Sequence, residues 1–162
     1  MTNSKCLSQV VRLIVSGGQT GVDRGALDAA MALGIEHGGW CPKGRLAEDG
    51  IIPGRYQVRE TQSSEYPVRT ERNVVDSDGT LILFRGQLQG GTELTHRLAR
   101  KHGKPVLLVD VSAGMRTDKV RRWLDAQAIS VLNVAGPRES TAPGIAAETQ
   151  AFLTRVLRGR DG

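Results

Sequence analysis

Short apolar segments that each run into a glycine-rich loop are the feature that most constrains this fold. Residues 12–16 (RLIVS) precede the loop 17–21 (GGQTG), residues 80–84 (TLILF) precede a loop that contains Gly90 and Gly91, and residues 130–134 precede a loop with Gly136. Apolar runs of about five residues that are followed by turn-forming residues predict buried strands. Three strands of this kind predict a sheet whose loops carry the chemistry.

Helical patterns alternate with these strands. We predict helices at residues 20–33, 68–75, 93–101, 117–126 and 145–157, and a further strand at 106–109. Residues 36–56 predict an irregular segment with one short strand near 39–41, and another short strand is expected at 56–59. This alternation predicts an α/β fold of Rossmann-like three-layer type, with a mostly parallel sheet and helices on both faces. We expect a single domain over residues 1–162, with its core at about 12–157.

The three loops are expected to meet at the carboxyl edge of the sheet, where doubly wound folds bind ligands. Glycines let a ligand approach the backbone, and the helix that follows offers free N–H groups to an anion. The first loop lacks the G-x-G-x-x-G pattern and the chain has no G-K-[ST] motif, which argues against NAD and Walker-type ATP sites. The loops therefore predict a site for a phosphate-bearing, nucleotide-like ligand.

Composition restricts the partners. The formal charge is +5, and 17 arginines stand against 5 lysines. Arginine suits an oxyanion ligand, although genome composition explains the same bias equally well. Scattered arginines and 4% aromatic residues argue against nucleic acid. Two cysteines, no apolar run of about 20 residues and no signal-peptide core predict a cytoplasmic protein without disulfides or membrane spans. His37, His96 and His102 share no metal-ligand spacing, so no metal site is expected.

Several side chains have a structural interpretation beside the functional one. Thr20 and Asp23 have the spacing of a capping box, and Thr92 suits a helix N-cap. Cys41 is interpreted as a small buried residue, with a reactive thiol as the alternative. Charged residues near the loop edges are better ligand candidates, and these are Arg24, Lys43, Arg45, Arg72, Arg85 and Arg138.

A series of motifs, in order, resembles the molybdenum-cofactor carrier family. These motifs are IVSGGQTGVDR at 14–24, GWCPKGR at 39–45 with EDG at 48–50, RT at 69–70, RNV at 72–74, SDGTL at 77–81 and GGTELT at 90–95. The resemblance covers residues 12–157. It implies a circularly permuted relative of a Rossmann-like group that includes cytokinin-activating phosphoribohydrolases and the lysine decarboxylase-like proteins. It also implies a homo-oligomer, dimer or tetramer, that carries molybdenum cofactor, a phosphorylated pterin, at its glycine loops.

Two alternatives remain open beside this carrier function. One is hydrolysis of a nucleoside 5′-monophosphate, since the enzymatic relatives carry Gly-Gly-x-Gly-Thr-x-x-Glu. Here one glycine is missing and Thr95 stands at the glutamate position, which leaves Glu93 as the nearest carboxylate for catalysis. The other is a nucleotide sensor without turnover. In the predicted site, loop amides hold the phosphate, arginines add charge, and Gln19 and Asn73 orient the ring. The predicted ligand-binding residues are Gly17, Gly18, Gln19, Thr20, Gly21, Arg24, Lys43, Arg72, Asn73, Gly90, Gly91, Thr92, Glu93 and Arg138.

Overall fold

Nine strands and five α-helices alternate along residues 10–158, which are the residues that the computed structural model describes; Cys6 lies outside them. The first half contains β1 (Leu13–Val15), α1 (Val22–Leu33), β2 (Glu36–Gly38), β3 (Trp40–Cys41), β4 (Leu46–Ala47), β5 (Gly50–Ile51), β6 (Arg59–Glu60) and α2 (Tyr66–Val75). The second half contains β7 (Gly79–Phe84), α3 (Gly90–Lys101), β8 (Val106–Asp110), α4 (Thr117–Ala126), β9 (Val131–Ala135) and α5 (Ile145–Leu157).

Five strands form one sheet in the order β2-β1-β9-β7-β8. Every neighbouring pair is parallel, with Val15 opposite Asn133 and Thr80 opposite the same asparagine from the other side. Parallel pairing places all five carboxyl ends at one edge of the sheet. The chain leaves β1 towards β2 and leaves β7 in the opposite direction towards β8, so a crevice opens over the end of β9. This topology confirms the predicted α/β class.

The two faces of the sheet are covered by different helices. Leu81 and Leu83 of β7 face a core that α1, α4 and α5 complete. On the other face, α2 packs against α3 through Val74, Leu98 and Ala99. Side chains alternate along a strand, so the intervening residues of β7 and β9 face α2 and α3. That second face therefore places polar strand residues such as Asn133 beneath the crevice.

Three details of the predicted elements were wrong. Strand β2 has only three residues, Glu36–Gly38, without an apolar run, and it forms because β1 offers it an edge. The strand expected at 56–59 is displaced to Arg59–Glu60, because Tyr56 and Val58 are buried in a small cluster with Leu27. Helix α3 begins at Gly90, three residues earlier than expected, since glycine has a low helix propensity that masks the first turn.

Candidate functional site

A cavity of about 870 Å³ opens at the carboxyl edge of the sheet, between α2 and α3. Its walls come from the ends of β1, β7 and β9, from the first turn of α3 and from one side of α2. This volume is within the usual range of small-molecule sites, about 300–1,000 Å³. The crevice predicted from the alternation of strands and loops is thus a formed cavity.

The charges that line the cavity are strongly unequal. Arg69, Arg85, Arg97 and Arg138 all contribute to the wall, and among the described residues Asp23 is the only carboxylate there. Arg85 is partly neutralised from outside the cavity, because its Nη2 lies 2.6 Å from a carboxylate oxygen of Glu148. The remaining excess of positive charge favours an anionic ligand.

The first glycine loop, residues 16–21, already uses its own hydrogen-bonding groups. The amide of Gln19 donates to Asp23 Oδ2 over 3.2 Å, and the amide of Thr20 donates to Gln19 Oε1 over 3.0 Å. Arg69 Nη1 donates to the Gly17 carbonyl over 2.8 Å. Gly21 has a φ of 81°, and a Cβ there would lie 2.3 Å from the Pro137 carbonyl oxygen. Two amides of this loop are thus already paired, and its close approach to Pro137 leaves no room for a side chain at Gly21.

Burial raises the pKa of Asp23, which sits beneath the first glycine loop. The positive charge of Arg69 and the hydrogen bond from the Gln19 amide act in the opposite direction but do not outweigh burial. Asp23 and Arg69 hold opposite polar groups of the same loop, an amide and a carbonyl respectively. The pair therefore fixes the loop from both sides.

The second glycine loop, residues 85–91, has open surroundings. A Cβ built at Gly86, Gly90 or Gly91 would meet no atom within 4 Å. Asp110 Oδ1 accepts from the Gly86 amide over 3.2 Å and so ties the start of the loop to the end of β8. The amides of Gly90 and Gly91, the first two residues of α3, form no hydrogen bond with any described residue. Free amides at a helix N-terminus attract anions.

The third loop, residues 136–142, closes the cavity from the side of β9. A Cβ at Gly136 would lie 2.2 Å from the Leu83 carbonyl oxygen, so only glycine allows this close crossing. The crossing brings Arg138, Ser140 and Thr141 to the cavity wall. Arg138 lies with its guanidinium 5.9 Å from the ring centre of Tyr66.

The structure brings half of the predicted ligand-binding residues to the cavity and leaves the other half elsewhere. At the wall are Gly17, Gln19, Asn73, Gly90, Gly91, Thr92 and Arg138. Outside the wall are Gly18, Thr20, Gly21, Arg24, Lys43, Arg72 and Glu93.

The charged residues outside the wall have other partners or face solvent. Arg24 forms a bidentate ion pair with Asp49 at 2.5 and 2.8 Å and also donates to the Gly18 carbonyl. Arg72 stacks on Trp40, 4.0 Å from the ring centre. The Lys43 side chain is exposed. Arg24 and Arg72 therefore hold the segment between β2 and α2 against the body of the fold.

The capping roles expected of Thr20, Asp23 and Thr92 are not found in the structure. The N-cap of α1 is Gly21 without a side-chain hydrogen bond, so the capping box of Thr20 and Asp23 is not formed. Thr20 Oγ1 instead donates to Glu48. Gln89, not Thr92, is the N-cap of α3, because the helix starts earlier than expected.

Arg45 and Cys41 belong to the packing of the segment between β3 and β6. Arg45 donates to four backbone carbonyls, those of Ile52, Pro53, Tyr56 and Val58. Cys41 is fully buried, and burial raises the pKa of its thiol. A raised pKa lowers the thiolate fraction, which agrees with the interpretation of Cys41 as a packing residue.

Both amides predicted to orient a ring are largely engaged with the backbone. Asn73 accepts from the Trp40 amide over 2.7 Å and donates to the Trp40 carbonyl over 2.9 Å. Gln19 Oε1 accepts from the amides of Thr20 and Glu48, while its buried Nε2 has no partner among the described residues. Asn73 thus uses both its amide oxygen and its amide nitrogen to hold β3.

Sequence reasoning missed Arg69, Tyr66 and Asn133 as cavity residues. Arg69 and Tyr66 are part of the wall that α2 contributes, and the guanidinium of Arg69 lies 5.2 Å from the centre of the Tyr66 ring. A signal for Asn133 was available: it is a polar residue between Leu132 and Val134 in a strand that is otherwise buried. A buried polar position on a core strand points to a site.

Glu93 does not provide a carboxylate to the cavity. Its side chain is exposed on α3, whereas Thr92 and Thr95 turn to the buried side and line the wall. No group of three or more His, Cys, Asp or Glu residues in the described chain is arranged to hold a metal ion. Within residues 10–158, no helix has the length and apolar character needed to cross a membrane.

The parallel sheet and the arginine-lined crevice at its carboxyl edge define a Rossmann-like α/β protein. The circularly permutated YpsA SLOG family matches residues 14–157, and the chain belongs to this family. It is similar to a solved structure from Syntrophus aciditrophicus named "Putative molybdenum carrier protein". The two share 45% identity over 93% of this chain and 97% of the other, with a TM-score of 0.89. A search of curated proteins gave no significant match. The resemblance stated from the sequence motifs is thereby confirmed, while the homo-oligomeric state stays a prediction.

Proposed function

We propose that this protein binds and carries a phosphorylated, nucleotide-like small molecule, with molybdenum cofactor as the first candidate. The observation that carries the proposal is the cavity at the carboxyl edge, which is lined, among the described residues, by four arginines and one carboxylate. Membership of the family and the name of the Syntrophus protein support a ligand-binding or carrier role. The cavity volume suits a ligand with both a ring system and a phosphate.

The phosphate is assigned to the second glycine loop. The free amides of Gly90 and Gly91 and the N-terminal end of the α3 dipole provide donors and a partial positive charge. Arg97 and Arg138 would add charge-assisted hydrogen bonds from the same wall. The first glycine loop is unsuited to this task, because the carboxylate of Asp23 already accepts from its amide at Gln19.

Molybdenum cofactor would be held as cargo through its organic part. The described residues offer no cluster of metal ligands, whereas they offer donors for a phosphate and polar groups for a pterin. A carrier must bind its cargo reversibly, so that the cargo is protected and can later be released. Hydrogen bonds to arginines and backbone amides allow reversible binding of this kind. Loading through the phosphate and ring leaves the metal end to an acceptor protein.

The test is to identify what the protein carries and what it binds. Freshly purified protein is analysed by native mass spectrometry and by extraction of small molecules, with molybdenum measured in parallel. We expect a phosphorylated pterin or nucleotide that is absent after purification of Gly91→Asp. If no phosphorylated molecule co-purifies and none shifts the melting temperature of the wild-type protein, the proposal is wrong.

A further inference from the structure

Arg69 and Asn133 are buried polar side chains in the wall of the cavity, and the phosphate site proposed above uses neither of them. Arg69 is 8% exposed and Asn133 is 2% exposed, and both line the cavity. Buried polar groups in folded proteins are normally paired, so hydrogen-bonding capacity left over at a cavity wall points to a ligand.

Arg69 uses only part of its donor capacity. Its guanidinium has five N–H groups, of which one donates to the Gly17 carbonyl over 2.8 Å. The guanidinium carbon of Arg69 lies 5.2 Å from the ring centre of Tyr66. No described carboxylate lies within 4.0 Å, although Asp23 acts on it at longer range. A buried cation that lacks an ion pair is costly, and an acceptor from the ligand would reduce that cost.

Asn133 is paired at one end of its amide only. Its Nδ2 donates to Thr80 Oγ1 over 3.2 Å, and no described group donates to Oδ1. The residue lies opposite Val15 on the neighbouring strand, two residues before Gly17, whose carbonyl Arg69 holds. Arg69 and Asn133 therefore reach the same part of the cavity from α2 and from β9.

An unused donor group and an unused acceptor in one part of a cavity match a ring that presents an acceptor and a donor together. A lactam edge, a ring carbonyl beside a ring N–H, has this pattern. We propose that Arg69 and Asn133 form a second subsite that binds the lactam edge of the ligand's heterocycle. This inference rests on the proposed function, because it places the ring of the same phosphorylated ligand.

The experiment compares two nucleotides that differ only in the lactam. Inosine 5′-monophosphate has a ring carbonyl and N–H, and purine riboside 5′-monophosphate has the same ring, ribose and phosphate without them. Titration calorimetry measures both dissociation constants for the wild-type protein. We expect inosine 5′-monophosphate to bind about tenfold more tightly, since a hydrogen bond to a charged group is worth about that factor.

Variants assign the preference to the two side chains. Asn133→Ala removes the free acceptor, and Arg69→Lys keeps a cation but loses the planar fork. In both we expect the ratio of dissociation constants to fall towards one. Thr149→Val is the control, because Thr149 is fully buried on α5, on the other face of the sheet, so its change leaves the ratio intact.

The outcomes separate this inference from the proposed function. Equal affinities for the two nucleotides in the wild-type protein would overturn the lactam subsite and leave phosphate binding standing. A preference that persists in both Asn133→Ala and Arg69→Lys would overturn its assignment to these residues. If neither nucleotide nor any phosphorylated pterin binds, the proposed function fails and this inference fails with it.

Discussion

The two glycine loops that follow β1 and β7 look alike in sequence but differ in what surrounds them. In the first loop, a Cβ at Gly21 would collide with the backbone at Pro137, and the Gln19 amide is already bound to Asp23. In the second loop, a Cβ at Gly90 or Gly91 would meet nothing, and both amides are free. Glycine therefore has two roles here: it allows close packing of the chain in the first loop, and it leaves the backbone unobstructed in the second.

The largest expected effect comes from giving each loop a methyl group. Gly21→Ala places a Cβ 2.3 Å from a backbone oxygen at a φ of 81°, and we expect it to lower the free energy of unfolding by about 3–5 kcal/mol. Gly91→Ala is the matched control and should change that free energy by no more than about 1 kcal/mol. Chemical denaturation measures both. Similar losses of unfolding free energy in the two variants would show that the two loops do not differ in packing.

A charge in the second loop should separate binding from stability. Gly91→Asp places a carboxylate in the first turn of α3, where it repels a phosphate but interacts favourably with the helix dipole. We expect phosphate-ligand affinity to fall about tenfold or more, at about 2 kcal/mol of unfavourable interaction, with unchanged or slightly higher stability. Gly91→Asn, of the same shape without charge, should retain most of the affinity. If Gly91→Asp bound the ligand as tightly as the wild-type protein, the assignment of the phosphate to this loop would be wrong.

Protonation of Asp23 probes the inside of the first loop. The pKa of Asp23 is raised above its ordinary value of 3.8, so its contribution to stability is fully present below that value and is lost as pH rises through the folded-state pKa. We therefore expect the melting temperature of Asp23→Asn to gain on that of the wild-type protein as pH rises from 3 towards 7. A melting temperature of Asp23→Asn that falls relative to that of the wild-type protein over this interval would show that the carboxylate is stabilised in its charged form.

The smallest effect is expected at the ion pair outside the first loop. Asp49→Asn breaks the pair with Arg24, whose hydrogen bond and, to a smaller extent, positive charge lower the pKa of Asp49. Because Asp49 is half exposed, we expect a loss of about 1 kcal/mol or less in unfolding free energy. Ligand affinity, measured by calorimetry beside it, should stay the same. A clear loss of ligand affinity in Asp49→Asn would show that the Arg24–Asp49 pair contributes to ligand binding.

Much of the fold was predictable because the core strands are recognisable as short, mostly apolar segments. Strand β7 contains the apolar run 81–84, and β9 is apolar except at Asn133. The glycine loops that follow them had to meet at one edge once the sheet was parallel. Strand β2 was not predictable, because the residues of Glu36–Gly38 acquire strand geometry only from pairing with β1.

The site was predictable where backbone position alone decides it. Gly90, Gly91 and Arg138 follow core strands, and that is why they reach the cavity. Arg24 and Arg72 also lie near loop edges, but Asp49 and Trp40 take their side chains. Those partners lie 25 and 32 residues away along the chain, a distance that no local pattern encodes. Arg69 was missed for the same reason, since only the packing of α2 brings it to Gly17.

The most direct test of the account is a phosphate titration followed through glycine amide signals in a ¹⁵N–¹H NMR spectrum. Inosine 5′-monophosphate and inorganic phosphate are the probes, and glycine amides occupy a well-separated region of the spectrum. We expect saturable chemical-shift changes of the Gly90 and Gly91 amides with both probes. With inorganic phosphate we expect none at the amides of Gly18 and Gly21. Shifts at Gly18 and Gly21 without change at Gly90 and Gly91 would contradict the assignment of the phosphate to the open loop.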